Sequence, residues 1–192
     1  VYEIPECSKN SKGRAIQNLI NIEQDDKVKA FICTQDLKDE DYVNSHYVIM
    51  ATKMGQVKKT SLEQYSRPRS NGINAITIKD DDELLEAKLT NGNSQIMLAV
   101  KSGKAIRFEE NKTRPMGRNA SGVRGIRLRD NKDEVVGMIS VNDMDANILV
   151  VSENGFGKRS SLEDYRLTNR GGKGVKTISI TCLLYTSDAA DD

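Results

Sequence analysis

The chain of 192 residues is long enough for one ordinary domain, and its net charge is only +1 although 30% of its residues are charged. No apolar run is long enough to span a bilayer, and the N-terminus lacks a signal-peptide pattern. The three cysteines lack pairing and metal-ligand spacings, which fits a reducing cytosol. Because the sequence begins at Val1 within an unfinished strand pattern, we expect a fragment of a longer protein.

An internal repeat of about fifty residues runs along the chain. Three apolar runs each lead into a turn that contains a glycine, namely Gly55, Gly103 or Gly155. The segments KKTSLEQY and KRSSLEDY, which follow the first and the third of these turns, nearly coincide. Unrelated segments rarely agree so closely, so the three runs belong to repeated units.

A second glycine follows each turn at a nearly constant distance, at Gly72, Gly122 and Gly174. Gly13 begins an incomplete earlier copy. We therefore divide residues 1–181 into the end of one unit, two whole units and most of another.

Each unit is predicted to contain about four strands. The short apolar runs 48–52, 96–100 and 148–152 give one strand per unit, and 84–89 and 135–141 give another. Alternating apolar residues after the second glycine predict one more, and the hairpin turn that follows each apolar run implies a partner strand after it.

Two local signals refine the unit. Asn154 and Gly155 predict a two-residue hairpin turn of type I′, because both residues tolerate positive φ. The segments SLEQY and SLEDY indicate a helical turn with serine as its cap.

A four-stranded unit of this length has the size of a propeller blade. The predicted fold is therefore all-β, a propeller-like partial arc of stacked four-stranded blades, with an open sandwich as the structural alternative. The last eleven residues, 182–192, differ in style from the rest and resemble the translated read-through of a sequencing adapter, so we leave them out of the fold.

The charges separate within each unit. Acidic residues collect at 80–83 and 130–145, whereas basic residues follow each turn glycine. Repeated loops at one edge of every blade would join the basic residues into a single stripe around the rim. The basic residues predicted to lie on this rim are Lys58, Lys59, Arg67, Arg69, Lys104, Arg107, Lys112, Arg114, Arg118, Arg124, Arg127, Lys158, Arg159, Arg166, Arg170, Lys173 and Lys176.

A basic stripe fits a long polyanion better than a small ligand. Because no aromatic platform for stacking bases is present, duplex DNA held through its phosphates is the predicted partner. In the stretch TNRGGKGVKTISI, Gly171, Gly172 and Gly174 would let backbone N–H groups approach a phosphate, while Arg170 and Lys173 supply charge. The stretch is not a nucleotide-binding P-loop, and no catalytic arrangement is apparent elsewhere.

The segments GQVKKTSLEQY, AIRFEENKTRPMGRNASGVRGIRL and NGFGKRSSLEDY closely resemble the C-terminal domain of the bacterial DNA gyrase A subunit, and the likeness extends from Val1 to about Thr181. The resemblance implies a β-pinwheel, which is a propeller-like disc whose blades exchange strands. It further implies that the basic rim wraps duplex DNA, so that the rest of an ATP-dependent type II topoisomerase can introduce negative supercoils in the bacterial cytoplasm, at the nucleoid.

The same resemblance assigns the catalytic tyrosine, ATP and magnesium to other parts of the enzyme, which comprise the gyrase B subunit together with the remainder of the gyrase A subunit. No catalytic residue, metal site or cofactor is therefore expected in this piece. The family's signature box reads glutamine, basic, arginine, glycine, glycine, lysine, glycine. Residues 170–174 match its last five positions, whereas Thr168 and Asn169 do not match the first two.

Two alternatives remain open at this point. The equivalent domain of the topoisomerase IV A subunit shares the architecture. A propeller that serves as a protein-interaction scaffold is the alternative from another functional class, although the basic stripe and the lack of tryptophan disfavour it.

Overall fold

The computed structural model describes residues 6–18, 20, 22, 26–69 and 71–179, and the regular secondary structure in this part of the chain is mostly β. Its helices are α1 (Glu40–Ser45) and four short 3-10 helices, Ile16–Asn18, Leu62–Tyr65, Glu110–Lys112 and Leu162–Asp164. None of the helices in these ranges is long and apolar enough to cross a membrane. The predicted adapter-derived tail, 182–192, lies outside the described residues.

The strands follow the repeat, and we call residues 47–90, 95–141 and 147–176 the first, second and third units. The first unit contains β1 (Tyr47–Thr52), β2 (Gln56–Ser61) and β3 (Leu84–Thr90). The second contains β4 (Gln95–Val100), β5 (Lys104–Glu109), β6 (Val123–Arg124) and β7 (Val135–Val141). The third contains β8 (Asn147–Val151), β9 (Gly157–Ser161), β10 (Leu167–Thr168) and β11 (Val175–Lys176).

Each sheet of the first two units is completed by the unit that follows it. The first sheet has the order β3-β1-β2-β6, and its last strand comes from the second unit. The second sheet repeats this arrangement as β7-β4-β5, with β10 and β11 of the third unit paired to β5. Strands β8 and β9 form a two-stranded sheet. The units therefore exchange strands, as the resemblance implies.

The core lies between successive sheets, so both faces of the central strands are apolar. Ile49 of β1 packs with Ile96 of β4 in one buried cluster, whereas the neighbouring Val48 belongs to a cluster on the opposite face of β1. Met97 of β4 packs with Tyr165 of the third unit. The alternation of a strand thus distributes its side chains between the preceding and the following neighbour.

The hairpin turns differ from the prediction. The N–H groups of Gly55, Gly103 and Gly155 donate to the carbonyl oxygens of residues 52, 100 and 152, and all three glycines have positive φ. Asn154 does not share this conformation, so the predicted type I′ turn is wrong. Instead, a three-residue turn forms that ends in a glycine with the left-handed conformation. Like the predicted turn, it connects two adjacent antiparallel strands.

The second glycines of the second and third units lie against the preceding unit. Gly122 has a φ of 93°, and a Cβ there would lie 2.7 Å from the carbonyl oxygen of Val57. Gly174 has a φ of 72°, and its Cβ would lie 2.5 Å from the carbonyl oxygen of Ala105. Only glycine accommodates both the left-handed backbone and this close approach. These two residues therefore fix the exchanged strands β6 and β11 on their partner sheets.

The exchanged strands are shorter than the alternating pattern predicts. The N–H groups of Gly125 and Thr177, immediately after β6 and β11, donate to the hairpin carbonyls of Gly55 and Gly103 at 2.8 Å. The chain therefore leaves the ladder after two residues and continues along the hairpin end. The corresponding segment of the first unit, residues 73–78, forms no strand.

Replacing Gly122 by alanine should destabilise the fold by about 2 kcal/mol or more, because a left-handed alanine costs about 1–2 kcal/mol and its methyl group would clash with Val57. The measurement is urea unfolding followed by circular dichroism. Gly117→Ala is the matched control, since a Cβ at Gly117 meets no atom within 4 Å. Equal stability of the two variants would contradict the role given to Gly122.

Candidate nucleic-acid interface

Most of the predicted rim residues present their side chains to solvent, but burial separates them into three groups. Lys58 and Lys59 are buried, and Lys104, Arg107, Arg118 and Arg170 are half-buried. The exposed residues are Arg67, Arg69, Lys112, Arg114, Arg124, Arg127, Lys158, Arg159, Arg166, Lys173 and Lys176.

Lys58 does not face solvent, contrary to its predicted place on the rim. Its side chain is fully buried in β2, and its Nζ donates to the carbonyl oxygen of Ala75 at 2.6 Å and to that of Arg118. Burial, together with the nearby charge of Arg118, lowers the pKa of Lys58 to about 8. Lys58 therefore ties a loop of the first unit to a loop of the second, and we remove it from the interface.

Lys59 is also withdrawn from the surface. Its Nζ lies 2.8 Å from a carboxylate oxygen of Glu110, and both side chains are buried. The same ammonium group lies 4.0 Å from the ring centroid of Tyr47. Glu110 is further held by the hydroxyl of Thr90 at 2.7 Å and by the N–H of Ser94 at 3.2 Å. This ion pair joins the first unit to the second, so Lys59 is not available to a phosphate.

Arg107 makes the corresponding contact at the next junction. It occupies the place in β5 that Lys59 occupies in β2, and its Nη1 donates to the carbonyl oxygen of Leu162 at 2.6 Å. Leu162 begins the 3-10 helix of the third unit, as Glu110 begins that of the second. The Nη1 group of Arg107 thus helps to hold the second and third units together.

The box-like loop also forms a junction between units. Arg170 donates from Nε to the carbonyl oxygen of Lys112 at 2.9 Å and from Nη1 to that of Arg124 at 3.1 Å. The N–H of Gly171 donates to the carbonyl oxygen of Gly125 at 2.6 Å. The structure therefore gives Arg170 and Gly171 packing roles, while the predicted phosphate contacts of this loop stay a prediction.

Many of the predicted residues come together where the second and third units meet. They are linked by the register pair of β5 and β11, by shared lining of two cavities, and by the hydrogen bonds of Arg170. We call this group the basic cluster, and it consists of Lys104, Arg107, Lys112, Arg124, Arg127, Arg166, Arg170, Lys173 and Lys176.

One basic residue of this region was missed from the sequence. Arg129 lines a cavity together with Lys104, Arg127 and Lys173, and its side chain is largely exposed. Its Nε lies 3.0 Å from a carboxylate oxygen of Asp130, with which the acidic segment begins. Its spacing of two from Arg127 was the signal available in the sequence.

The other predicted residues lie outside the basic cluster. They comprise exposed residues on loops and on β9, together with Arg118. The carbonyl oxygen of Arg118 accepts a hydrogen bond from Nζ of Lys58. These residues are Arg67, Arg69, Arg114, Arg118, Lys158 and Arg159.

The acidic residues mainly hold loops in place. Glu83 contacts Lys29 at 2.8 Å and Lys53 at 2.5 Å, and hydrogen bonds from these two lysines lower the pKa of Glu83 to about 2. Asp82 and Asp133 each accept an N–H from a hairpin turn, at 2.9 Å. Among the described residues, no group of His, Cys, Asp and Glu could hold a metal ion.

The repeat matches a known family along most of its length. The family model described as "DNA gyrase C-terminal domain, beta-propeller" matches residues 1–35, 46–91, 95–142 and 146–181. The chain belongs to this family. The predicted propeller-like all-β fold is thereby confirmed, and the open sandwich is not supported.

Two DNA gyrase A subunits are similar to this chain in sequence. The DNA gyrase A subunit of Staphylococcus epidermidis (strain ATCC 12228 / FDA PCI 1200) is 46% identical over 181 residues, which cover 94% of this chain and 20% of that protein. The DNA gyrase A subunit of Staphylococcus aureus (strain NCTC 8325 / PS 47) is 46% identical over 182 residues, with the same coverage. The chain thus spans about one fifth of the length of these relatives.

Two solved structures have the same architecture. A C-terminal domain of DNA topoisomerase IV superposes with a TM-score of 0.77 at 28% identity, covering 85% of this chain and 49% of that one. A DNA gyrase A C-terminal domain superposes with a TM-score of 0.73 at 25% identity, covering 86% of this chain and 53% of that one.

Replacing Lys59 by methionine should destabilise the fold by about 3–5 kcal/mol, because it leaves the carboxylate of Glu110 buried without its counter-charge. Chemical unfolding measures this loss. Adding Glu110→Gln should restore much of the stability, since the double variant buries no charge. If Lys59→Met cost no more than Lys38→Met on the surface, the ion pair would not hold the units together.

The stability contribution of Lys58 should rise with pH. Its folded-state pKa of about 8 lies below the ordinary 10.5, so between these values the unfolded chain binds more protons than the folded one. The free energy of unfolding, measured relative to Lys58→Met, should therefore increase by about 2 kcal/mol between pH 7.5 and 9.5. A constant or falling difference would show that the fold does not lower the pKa of Lys58.

Proposed function

We propose that the chain is the DNA-binding and DNA-wrapping part of a DNA gyrase A subunit, and that its basic cluster holds duplex DNA through the phosphates. The observation that carries the proposal is the basic cluster itself, because strand exchange gathers cationic side chains from two units on one surface. The names of the relatives support the same assignment.

The chemistry of the cluster favours a sequence-tolerant grip. Lysine and arginine neutralise phosphates and release counterions, which supplies affinity without reading bases. Exposed members such as Arg127 and Lys176 are free to follow a backbone, while half-buried members such as Arg170 keep the loops at a fixed spacing. The partner that fits is duplex DNA in the bacterial cytoplasm, at the nucleoid.

Wrapping DNA requires many weak contacts in a regular arrangement. Smooth bending of a 20–30 bp stretch costs on the order of 1–6 kcal/mol, which phosphate contacts must offset. Units that repeat the same basic loops present such contacts at intervals along the rim, as in other proteins that bend DNA without base-specific contacts. The chain would thereby supply the wrapped segment on which the whole enzyme acts.

The supercoiling reaction itself belongs to the rest of the assembly in this proposal. The gyrase B subunit, together with the remainder of the gyrase A subunit, would supply the strand-cleaving tyrosine, ATP and magnesium, and this chain would deliver DNA to them. The complete enzyme is then an ATP-dependent type II DNA topoisomerase.

The topoisomerase IV A subunit is the second candidate, and the solved topoisomerase IV domain supports it through its TM-score of 0.77. We favour gyrase because relatives with that name share 46% identity, compared with 28% for the topoisomerase IV domain. Both candidates assign duplex DNA to the same surface.

Replacing Lys104, Arg127 and Lys176 together by glutamine should weaken duplex binding about tenfold or more at low salt, on two unrelated sequences alike. The line of log affinity against log salt should also flatten by about 0.9 for every phosphate that is no longer neutralised. Fluorescence anisotropy of labelled duplexes over a salt series gives both quantities.

The matched control replaces Lys38, Lys79 and Lys132, which are exposed and lie outside the cluster, and it changes the net charge equally. This control should retain most of the affinity. Equal losses in both variants would indicate unspecific attraction by net charge. Absence of duplex binding by the folded wild-type chain would favour a protein-interaction scaffold.

A further inference from the structure

The third unit ends in an apolar face that has no neighbouring unit among the described residues. Leu149 and Val151 of β8 are 69% and 59% exposed. Ile49 and Met97, which hold the place of Leu149 in β1 and β4, are buried and pack against the unit that follows. We call Leu149, Val151 and Arg159 of β9 the open face, because the same surface is covered at both earlier junctions.

Arg159 is the third member of a series of basic junction residues. It occupies in β9 the register position of Lys59 in β2 and of Arg107 in β5. Both of those residues contact the first residue of the 3-10 helix in the following unit, which is Glu110 or Leu162. Arg159 is exposed instead. The open face therefore has the same polar and apolar parts as a junction between units.

A strand-like segment lies at the opposite end of the arc. Residues 28–34 precede β1 as β3 precedes β4 and as β7 precedes β8. Ala30 and Ile32 pack against the first unit, whereas the side chain of Phe31 between them is 75% exposed. Among the described residues no strand pairs with this segment. The segment thus has the place of an outer strand that lacks its central strand.

The free edge of β8 needs a strand of this kind. Its counterparts β1 and β4 each pair on that edge with an antiparallel outer strand, and the last outer residues, Thr90 and Val141, lie opposite the first residues of β1 and β4. Thr34 holds the same place in the sequence, since Gln35 and Asp36 follow it as an amide and an acid follow Val141. In this register Thr34 would lie opposite the first residue of β8.

The burial of the segment agrees with this register. Ile32 would then lie opposite Leu149, and both side chains would point to one face of the strands. Ile32 already packs on the first unit, so the same contact would cover Leu149 with the first unit of the donating chain. Phe31 would point to the other face, which the equivalent Met138 of β7 uses to pack on the preceding unit. Each exposed apolar side chain thereby gains a covered position.

A second unused contact lies in the first unit. Gly72 has a left-handed φ of 77°, like Gly122 and Gly174, but a Cβ at Gly72 would meet no atom within 4 Å. The chain after Gly122 and Gly174 adds β6 and β11 to the preceding unit, whereas residues 73–78 form no strand. The free edge of β9 is the counterpart of the edges that β6 and β11 occupy. Residues after Gly72 can therefore add to β9 of another chain.

Two copies are enough to use all of these parts. The region that superposes on the two solved domains covers 49% and 53% of them, so two arcs amount to about one whole domain. Every chain carries both halves of the missing junction. Two chains related by a twofold axis can thus satisfy both ends at once, and the closed assembly leaves no strand edge open.

We propose that two copies of this chain assemble reciprocally into a closed ring with twofold symmetry, in which residues 28–34 of each copy pair with β8 of the other. The first unit of one copy then covers Leu149 and Val151 of its partner. Arg159 donates to the carbonyl oxygen of Leu62, which begins the 3-10 helix of the first unit. Main-chain hydrogen bonds and apolar burial stabilise each junction, and DNA is not required.

Sedimentation equilibrium over a range of concentrations tests this assembly, and the wild-type chain should reach the mass of two chains. Phe31→Asp and Leu149→Asp should each raise the dissociation constant of the dimer about a hundredfold or more, because each variant buries a carboxylate at both junctions. Both residues are exposed in the single chain, so circular dichroism should show unchanged folding. Leu167→Asp is the control, since Leu167 is exposed on the side of the third unit that pairs with β5.

A mixture of the two variants distinguishes reciprocal assembly from contact between two open faces. In a mixed pair, the unaltered open face of the Phe31→Asp chain meets the unaltered segment of the Leu149→Asp chain. The mixture should therefore associate more tightly than either variant alone. Dissociation of Leu149→Asp with an unaffected Phe31→Asp dimer would instead show that two open faces bind each other, and it would overturn the proposal.

A disulfide tests the register itself. Cys33 would lie opposite Ile148, and side chains in opposite positions of antiparallel strands are close enough for a disulfide after a small adjustment. In a background of Cys7→Ser and Cys182→Ser, oxidation of Ile148→Cys should give a covalent dimer on a non-reducing gel. Leu149→Cys is the control, because its side chain would point to the other face. Equal cross-linking of both variants would contradict the register.

A wild-type chain that stays monomeric at every soluble concentration would overturn the proposal. The open face would then belong to further units of a longer protein. Duplex binding by such a monomer would leave the proposed function intact, so the two proposals fail separately.

Discussion

The close approach of a left-handed glycine to a strand carbonyl of the preceding unit determines how the molecule is assembled. Gly122 lies against Val57 and Gly174 against Ala105, at distances that leave no space for a Cβ atom. Because these contacts place β6 and β11 on the sheets of their neighbours, no sheet of the first two units is complete without the unit that follows it. The relative positions of residues on a surface at such a junction are therefore fixed by these contacts.

The cationic residues divide into two functions according to burial. Lys58 and Lys59 are desolvated inside the junction and hold carbonyl groups or a carboxylate, which makes them part of the fold. Arg107 and Arg170 combine a structural hydrogen bond with a half-buried position at the surface. Exposed residues such as Lys176 remain available to a polyanion. At the junction, exposed basic side chains thus lie near basic side chains that belong to the fold.

The sequence predicted the local elements well because the repeat marks them. The apolar runs became β1, β4 and β8, and both series of glycines adopt the left-handed conformation. The pattern could not reveal the burial of Lys58 and Lys59, since consecutive lysines in an isolated strand indicate a solvated face, and only packing between units covers both sides of β2. The short length of β6 and β11 was not predictable for the same reason, because it depends on hydrogen bonds to residues of the preceding unit.

The measurement that tests the central claim most directly is the linking number of relaxed circular DNA, closed by a nicking-closing enzyme in the presence of increasing amounts of the chain. If the chain wraps duplex DNA around its basic rim with the positive handedness that the family resemblance implies, the topoisomer distribution should shift toward higher linking numbers in proportion to the protein bound. A distribution that stays unchanged at saturating binding would contradict wrapping, and the basic cluster would then be a surface that binds DNA without bending it into a defined path.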